Sequence, residues 1–208
     1  MADTPYGADK VKGIYNDQEF EPDWMAGKNF EREHVWCNSL LGMNRVASSG
    51  KNQASDLHNL RAIGGVYSGG INQTRSNRYF TDCVDPGCTK GGANHTGHTV
   101  GTKAFYPGKD HVGDVARILM YMIIMYNDIL WIPENEQMII EADNHAYEAA
   151  WAYMPIATIN LLIQWNTADT VDDFERHRND VIYGLQGNRN PFIDHPEKLE
   201  DVLISLVS

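Results

Sequence analysis

The chain has 208 residues, 42% of them hydrophobic and 22% charged, a composition that permits a sizeable buried core. No apolar run reaches membrane-span length, since the most hydrophobic stretch, Ile118 to Met125, is about half what a spanning helix needs, so no membrane partner is expected. The net charge of −11 argues against a nucleic-acid partner for the chain as a whole, but its distribution is uneven: the segment Glu31–Arg117 balances at +3 and the remainder at −14.

Met1-Ala2-Asp3-Thr4 runs directly into polar residues without a signal-peptide pattern, which fits a cytosolic protein or a mature chain with a new initiator methionine. Residues 1 to 30 read as a short helix and loop with scattered aromatics (Tyr6, Tyr15, Phe20, Trp24, Phe30) and no motif. Glu31-Arg32-Glu33-His34-Val35-Trp36 follows in a β-prone context. A carboxylate next to a histidine offers a metal ligand beside a general base. Neighbouring strand residues face opposite ways, so the pair converges only at a bulge or a strand end. A polar Ser/Asn/Gly-rich loop then carries Arg45 and Lys51.

Asp56-Leu57-His58-Asn59-Leu60 alternates polar and apolar residues and predicts a short strand, turning at Ala62-Ile63-Gly64-Gly65. Ile71 to Arg78 predicts irregular backbone or a helical turn rich in amides, whose carbonyl oxygens suit Mg²⁺. Residues 81 to 109 read as a long loop. Within it Cys83 and Cys88 bracket a turn, which favours a local disulfide and leaves Cys37 free. The rival reading is a zinc site of Cys83, Cys88, His95 and His98.

Val115, Ile118, Leu119, Met122, Ile123 and Tyr126 recur at three- and four-residue steps, predicting a buried helix over Asp110–Asp128 with Asp110 or Asp114 at its start. A helix over Tyr147–Trp165 broken at Pro155 and another over Val171–Leu185, with a charged, solvated face, complete the expectation. Asn188 to Pro196 reads as a fixed extended segment before a short C-terminal helix.

Taken in order, Glu33-His34-Val35, Asp56-Leu57-His58-Asn59-Leu60, Asn72-x-x-Arg75-Ser76-Asn77 and Gly113-Asp114-Val115-Ala116-Arg117 resemble the bacterial endonuclease I family, non-specific nucleases with the ββα-metal (His-Me finger) fold. Trp165-Asn166, Glu175-x-x-Arg178-Asn179 and Gln186 to Phe192 extend the resemblance to about residues 31–196. It implies an α+β fold: a ββα-metal finger core, a small antiparallel sheet and helix, embedded in a mainly helical single domain over 1–208. The core is expected at about 31–80 and the helical body at about 110–208.

By the same resemblance the function is divalent-metal-dependent, non-specific endonucleolytic hydrolysis of DNA and RNA to 5′-phosphate ends. His34 is then the general base. Glu33 and Asn72 hold one Mg²⁺, with Mn²⁺ or Ca²⁺ as alternatives, and Asn77 lies five positions on. Arg45 and Arg75 are the candidate phosphate contacts, joined by Arg78 and Lys51. Asp56, His58 and Asn77 are expected behind the ligands, and Gln186 to Phe192 beneath the site. A neutral imidazole with an ordinary pKa near 6.5 accepts a water proton around neutral pH. Location is expected to be secreted or periplasmic, with no obligate protein partner. The alternatives are an inactive nucleic-acid-binding module of the same fold and a zinc-stabilised interaction domain.

Overall fold

A computed structural model of the protein describes residues 2–38, 51–65, 67, 70–83, 97–100, 104–126 and 159–207. Its centre is the helix that periodicity predicts, here α2, Val112–Met125. Almost every side chain from Val112 to Ile123 is buried, because the helix is apolar nearly all round and is covered on every side. Asp110 and Asp114 are not its cap: His111 holds that position without a side-chain bond, and Asp114 lies in the first turn.

In front of α2 lies the functional core. Strand β3, Glu31–His34, pairs antiparallel with β4, Leu60–Ile63, with Glu33 opposite Arg61 and His34 opposite Leu60. The short helix α1, Ile71–Arg75, follows, so strand, strand and helix stand in the order that the ββα reading requires. β4 begins at Leu60, four residues later than the alternation at Asp56 implies. The side chains of Asp56 and Asn59 are taken up by backbone N–H and C=O groups, which turns the chain through 57–59 instead of extending it.

The first 30 residues are not a helix and loop. They form a hairpin, β1 (Val11–Lys12) with β2 (Glu19–Phe20), and a 3₁₀ turn at Met25–Gly27. This segment closes the free edge of β4: the Ile14 N–H donates to Ala62 O at 2.9 Å and the Asp3 carboxylate accepts from Ala62 N–H at 2.7 Å. Nor is 81–109 wholly loop. β6 (His98–Val100) and β7 (Ala104–Tyr106) join β5 (Tyr79–Phe80) in the order β5-β7-β6. Three-residue strands carry too little periodicity to be read beforehand. Within this region Cys83 is disulfide-bonded, so its sulfur is no thiolate for zinc, and Cys37 is buried and outside any disulfide. Cys88 and His95 lie outside the described residues, as does most of the helix expected from Tyr147.

The helical body follows. α3 (Ile159–Ala168) packs along α2 through Leu161, Leu162 and Trp165. α4 (Asp173–Gln186) starts at a capping box in which Asp172 accepts from Glu175 N–H and Glu175 accepts from Asp172 N–H. It stops at Gly187, whose φ of 88° is the left-handed cap that glycine adopts without strain. Instead of an extended segment, α5 (Pro191–Asp194) follows, started by Asn190 and Pro191, and then α6 (Leu199–Val207).

The charged stretch of α4 is a solvated face only in part: Asp173, Arg176 and Asp180 are exposed. Glu175, Arg178 and Asn179 are buried, and the first two belong to an ion network. Arg117 of α2 donates two parallel bonds to Glu175 at 2.7 Å each. Arg61 of β4 donates to Asp114 at 2.9 Å, and both Arg61 (3.1 Å) and Arg178 (2.7 Å) meet Asp3. The network ties the site strands to the helical body. Removing one member strands a charge in the interior. Arg61→Met is therefore expected to cost roughly 3–5 kcal/mol in urea unfolding, and Arg61→Met with Asp114→Leu to recover most of it.

Among the buried groups, His58 and Asp114 contribute stability that is lost toward acid, as does His111, which burial also lowers, while the raised carboxyls of Glu33, Glu175 and Asp169 act in the opposite sense. Burial, with the nearby Arg178 charge, holds the His58 imidazole at about 4. Burial would raise the Asp114 carboxyl, but the Arg61 and Arg117 guanidiniums outweigh it and hold it at about 2. Both folded values lie below the unfolded ones, so each contribution is present above its unfolded value and lost as pH falls toward its folded one. The His58 contribution should thus be lost from pH 6.5 to 4, by up to about 3 kcal/mol, and the Asp114 contribution from 3.8 to 2. Urea midpoints of the wild type and His58→Gln measured across this range check it: the difference between them should shrink as pH falls from 6.5 to 4 and stay constant below.

Candidate active site

The convergence of Glu33 and His34 comes from where β3 ends. Past His34 the ladder is replaced by one side chain: Asn59 accepts from Trp36 N–H at 2.7 Å and donates to Trp36 O at 3.1 Å, while its own carbonyl accepts from Val35 N–H. The chain leaves the sheet there. His34, half-buried, is the last strand residue, and it lines the same 260 Å³ cleft as the buried Glu33. Mid-strand alternation would have set the two on opposite faces.

Glu33 is held from below. Its Oε1 accepts from the Tyr15 hydroxyl at 2.9 Å and lies 3.6 Å from Arg75 Nε. Oε2 has no hydrogen-bond partner among the described residues. Burial pushes the carboxyl up to about 7, against the opposing effects of the Arg75 charge and the Tyr15 hydrogen bond. Tyr15 is completely buried and has a φ of 75°, a left-handed conformation costly for a residue with a side chain. Nothing in the sequence marks this tyrosine, which lies 18 residues before its partner.

α1 brings the amide. Gly64 O accepts from Asn72 N–H, Gly65 O accepts from Gly70 N–H, and Gly70 turns into the helix with a φ of 73°. Gly65 also sits where a Cβ would meet the Glu31 side chain at 2.2–2.4 Å, so glycine lets the turn lie close on β3. Asn72 Nδ2 donates to Glu31 Oε2, which sets the amide orientation and leaves the carbonyl oxygen on its other side. Asn72 lines the cleft with Glu33, His34, Ser76 and Asn77. Asn38, whose buried Oδ1 has no partner among the described residues, also lines it.

This donor set fits a hard divalent cation. It consists of one carboxylate oxygen without a partner among the described residues and neutral amide oxygens, and Mg²⁺ takes few protein ligands of this type and keeps several waters. A cation beside Glu33 would restore the ionised form that burial disfavours. Among the described residues no group of three or more His, Cys, Asp or Glu converges, so a thiolate or imidazole cage is not what these side chains offer.

The remaining expected residues fall in different places. Arg75 is fully buried under the strand: it donates to Ser76 O and Val35 O at 3.0 and 3.1 Å and to Arg78 O, with its guanidinium 4.1 Å from the Phe80 ring centre. It faces Glu33, not the open cleft. Arg45 lies outside the described residues. Asp56 is buried and accepts from the hydroxyls of Tyr121 and Tyr126 at 2.7 and 2.6 Å and from Gln186 Nε2 at 3.0 Å. His58 packs on Tyr121, with its Nε2 3.3 Å from Asn188 O. Together they fasten the turn before β4 to α2 and to the end of α4. Asn190 Nδ2 donates to Arg117 O and its N–H to Asn179 Oδ1, joining α5 to the same base.

Comparison with known proteins agrees with this architecture. An extracellular ribonuclease of Bacillus subtilis (strain 168) is 30% identical over 203 residues, 96% of this chain and 64% of that protein. An extracellular ribonuclease of Bacillus amyloliquefaciens is 31% identical over 178 residues, 84% of this chain and 54% of that protein. The chain thus spans less than two thirds of the length of these relatives. The endonuclease I family model matches residues 5–197, across both strands, α1 and, Asp3 apart, the buried network behind them, and the chain belongs to that family of nucleases.

Proposed function

We propose that the chain is a divalent-metal-dependent endonuclease that hydrolyses phosphodiester bonds of DNA and RNA to 5′-phosphate ends. The observation that carries the reading is the cleft where the strand-terminal His34 adjoins the buried Glu33 carboxylate and the Asn72 amide. Family membership supports nuclease chemistry, and the ribonuclease relatives favour including RNA. Their extracellular location favours a secreted protein.

His34 takes the proton of the attacking water as its oxygen bonds to phosphorus, and the bond from phosphorus to the 3′ oxygen breaks on the opposite side. The phosphate stays on the 5′ oxygen. Glu33 and Asn72 would hold the Mg²⁺, which when bound neutralises charge developing on the phosphate and on the leaving oxygen. Tyr15 and Arg75 engage one oxygen of the Glu33 carboxylate, leaving the second for the cation. Arg75 thereby acts on the substrate only through Glu33. Recognition through phosphates, without contacts to base edges, would make cleavage independent of sequence.

Digestion of supercoiled plasmid and of RNA, side by side, tests this reading. Cleavage should require Mg²⁺ and stop with chelator. His34→Ala should lose about 10²–10⁴-fold in rate with nucleic-acid binding retained. A His34→Ala protein of normal rate would remove the base assignment. Tyr15→Phe should raise the Mg²⁺ concentration for half-maximal rate by about 10–100-fold, with the rate largely restored at saturating metal. An unchanged metal requirement would show that the hydroxyl does not position Glu33.

A further inference from the structure

A second cleft, of 430 Å³, adjoins the first and shares Arg32, His34, Asn38 and Asn72 with it. Its other walls include Trp24, Tyr67 and Gly27. That volume is within the range of small-molecule sites. Two of its walls are aromatic and open: Trp24 is 40% exposed and Tyr67 79%. Arg32 lies two residues before His34 on the same face of β3, is exposed, and places its guanidinium 4.6 Å from the Trp24 ring centre. The backbone beneath is strained. Met25, Ala26 and Gly27 follow one another at φ of 44°, 56° and 88°, and two of the three are not glycine. The turn is fixed by Gly27 N–H donating to Trp24 O and by Asn29 Nδ2 donating to Asp23 O.

On the nuclease reading above, we propose that this cleft receives a nucleobase of a single-stranded nucleic acid next to the scissile phosphate, with Trp24 as the stacking platform and Arg32 bridging ring and phosphate. A surface tryptophan alone would carry no such meaning. Here one ring is stacked by a guanidinium, held by a strained turn, and shares a continuous cleft with His34. Every base has a π-face, so such a platform is indifferent to sequence, and only unpaired bases are free to use it. It also suits the charge of the chain. At −11 the protein gains little from long-range attraction to a polyanion, whereas stacking does not depend on that attraction.

The test is equilibrium binding by fluorescence anisotropy, using the full chain carrying His34→Ala and three labelled probes of equal length. These are a mixed-sequence single strand, a uniformly abasic strand and the matching duplex. The intact strand should bind about tenfold more tightly than the abasic one, the effect of roughly one stacked base. Adding Trp24→Ala should erase that difference and leave the abasic strand and the duplex within about twofold, while Trp24→Phe keeps most of it. A difference that survives Trp24→Ala, an equal loss on all three probes, or no preference for bases at all would each overturn the proposal. The nuclease reading fails separately, through absence of Mg²⁺-dependent cleavage by the protein with His34 intact. With His34 present, Trp24→Ala should raise KM on single strands about tenfold and leave kcat nearly unchanged.

Discussion

Everything at the site depends on how β4 is anchored. Arg61 is the ladder partner of Glu33, and its guanidinium is held by Asp114 of α2 and by Asp3 from the N-terminal segment. A two-stranded ribbon alone is barely stable in water. This one is fixed because its second strand is tied by charge to the central helix and its outer edge is covered by Ile14 and Asp3. Through the register, that anchor determines where Glu33 lies and where β3 ends. The end of β3, set by Asn59, is what lets His34 share a cleft with its neighbour. The buried ions add little net stability as pairs, but each is costly to leave alone, so the arrangement penalises any other register.

What was legible in the sequence was what local pattern encodes. The buried helix α2 follows from apolar residues at three- and four-residue steps and begins and ends within three residues of expectation. The order of Glu33-His34 and the Asn72 segment carried the ββα core. What was not legible depends on partners far along the chain. Asp56 and His58 look like an alternating strand, yet their side chains serve Tyr121, Tyr126 and Gln186, up to 130 residues away. Glu175 and Arg178 look solvated because their partners, Arg117 and Asp3, belong to other elements. Tyr15 gave no signal at all: a tyrosine in a motif-free hairpin becomes meaningful only once the fold sets it under Glu33.

The same distinction governs electrostatics. By count, residues 31–117 are mildly basic, which reads as attraction for nucleic acid. Yet Arg61, Arg75 and Arg117 are buried, each committed to carboxylates or carbonyls inside the protein. The exposed cations described in that segment reduce to Arg32, Lys51 and Lys109, with Arg78 half-buried. A charge sealed in an ion pair contributes little field outside, and because Glu33, Asp56 and Asp114 are buried along with these arginines the segment keeps only its small +3 excess on a chain of −11. Substrate must then be held by short-range contacts at the site itself. On the proposed reading, Glu33 and Asn72 would hold the cation and the Trp24 ring beside Arg32 would take the base, in clefts that share His34. An acidic nuclease of this design would rely on the cation at its centre and on stacking beside it, and only weakly on a basic surface.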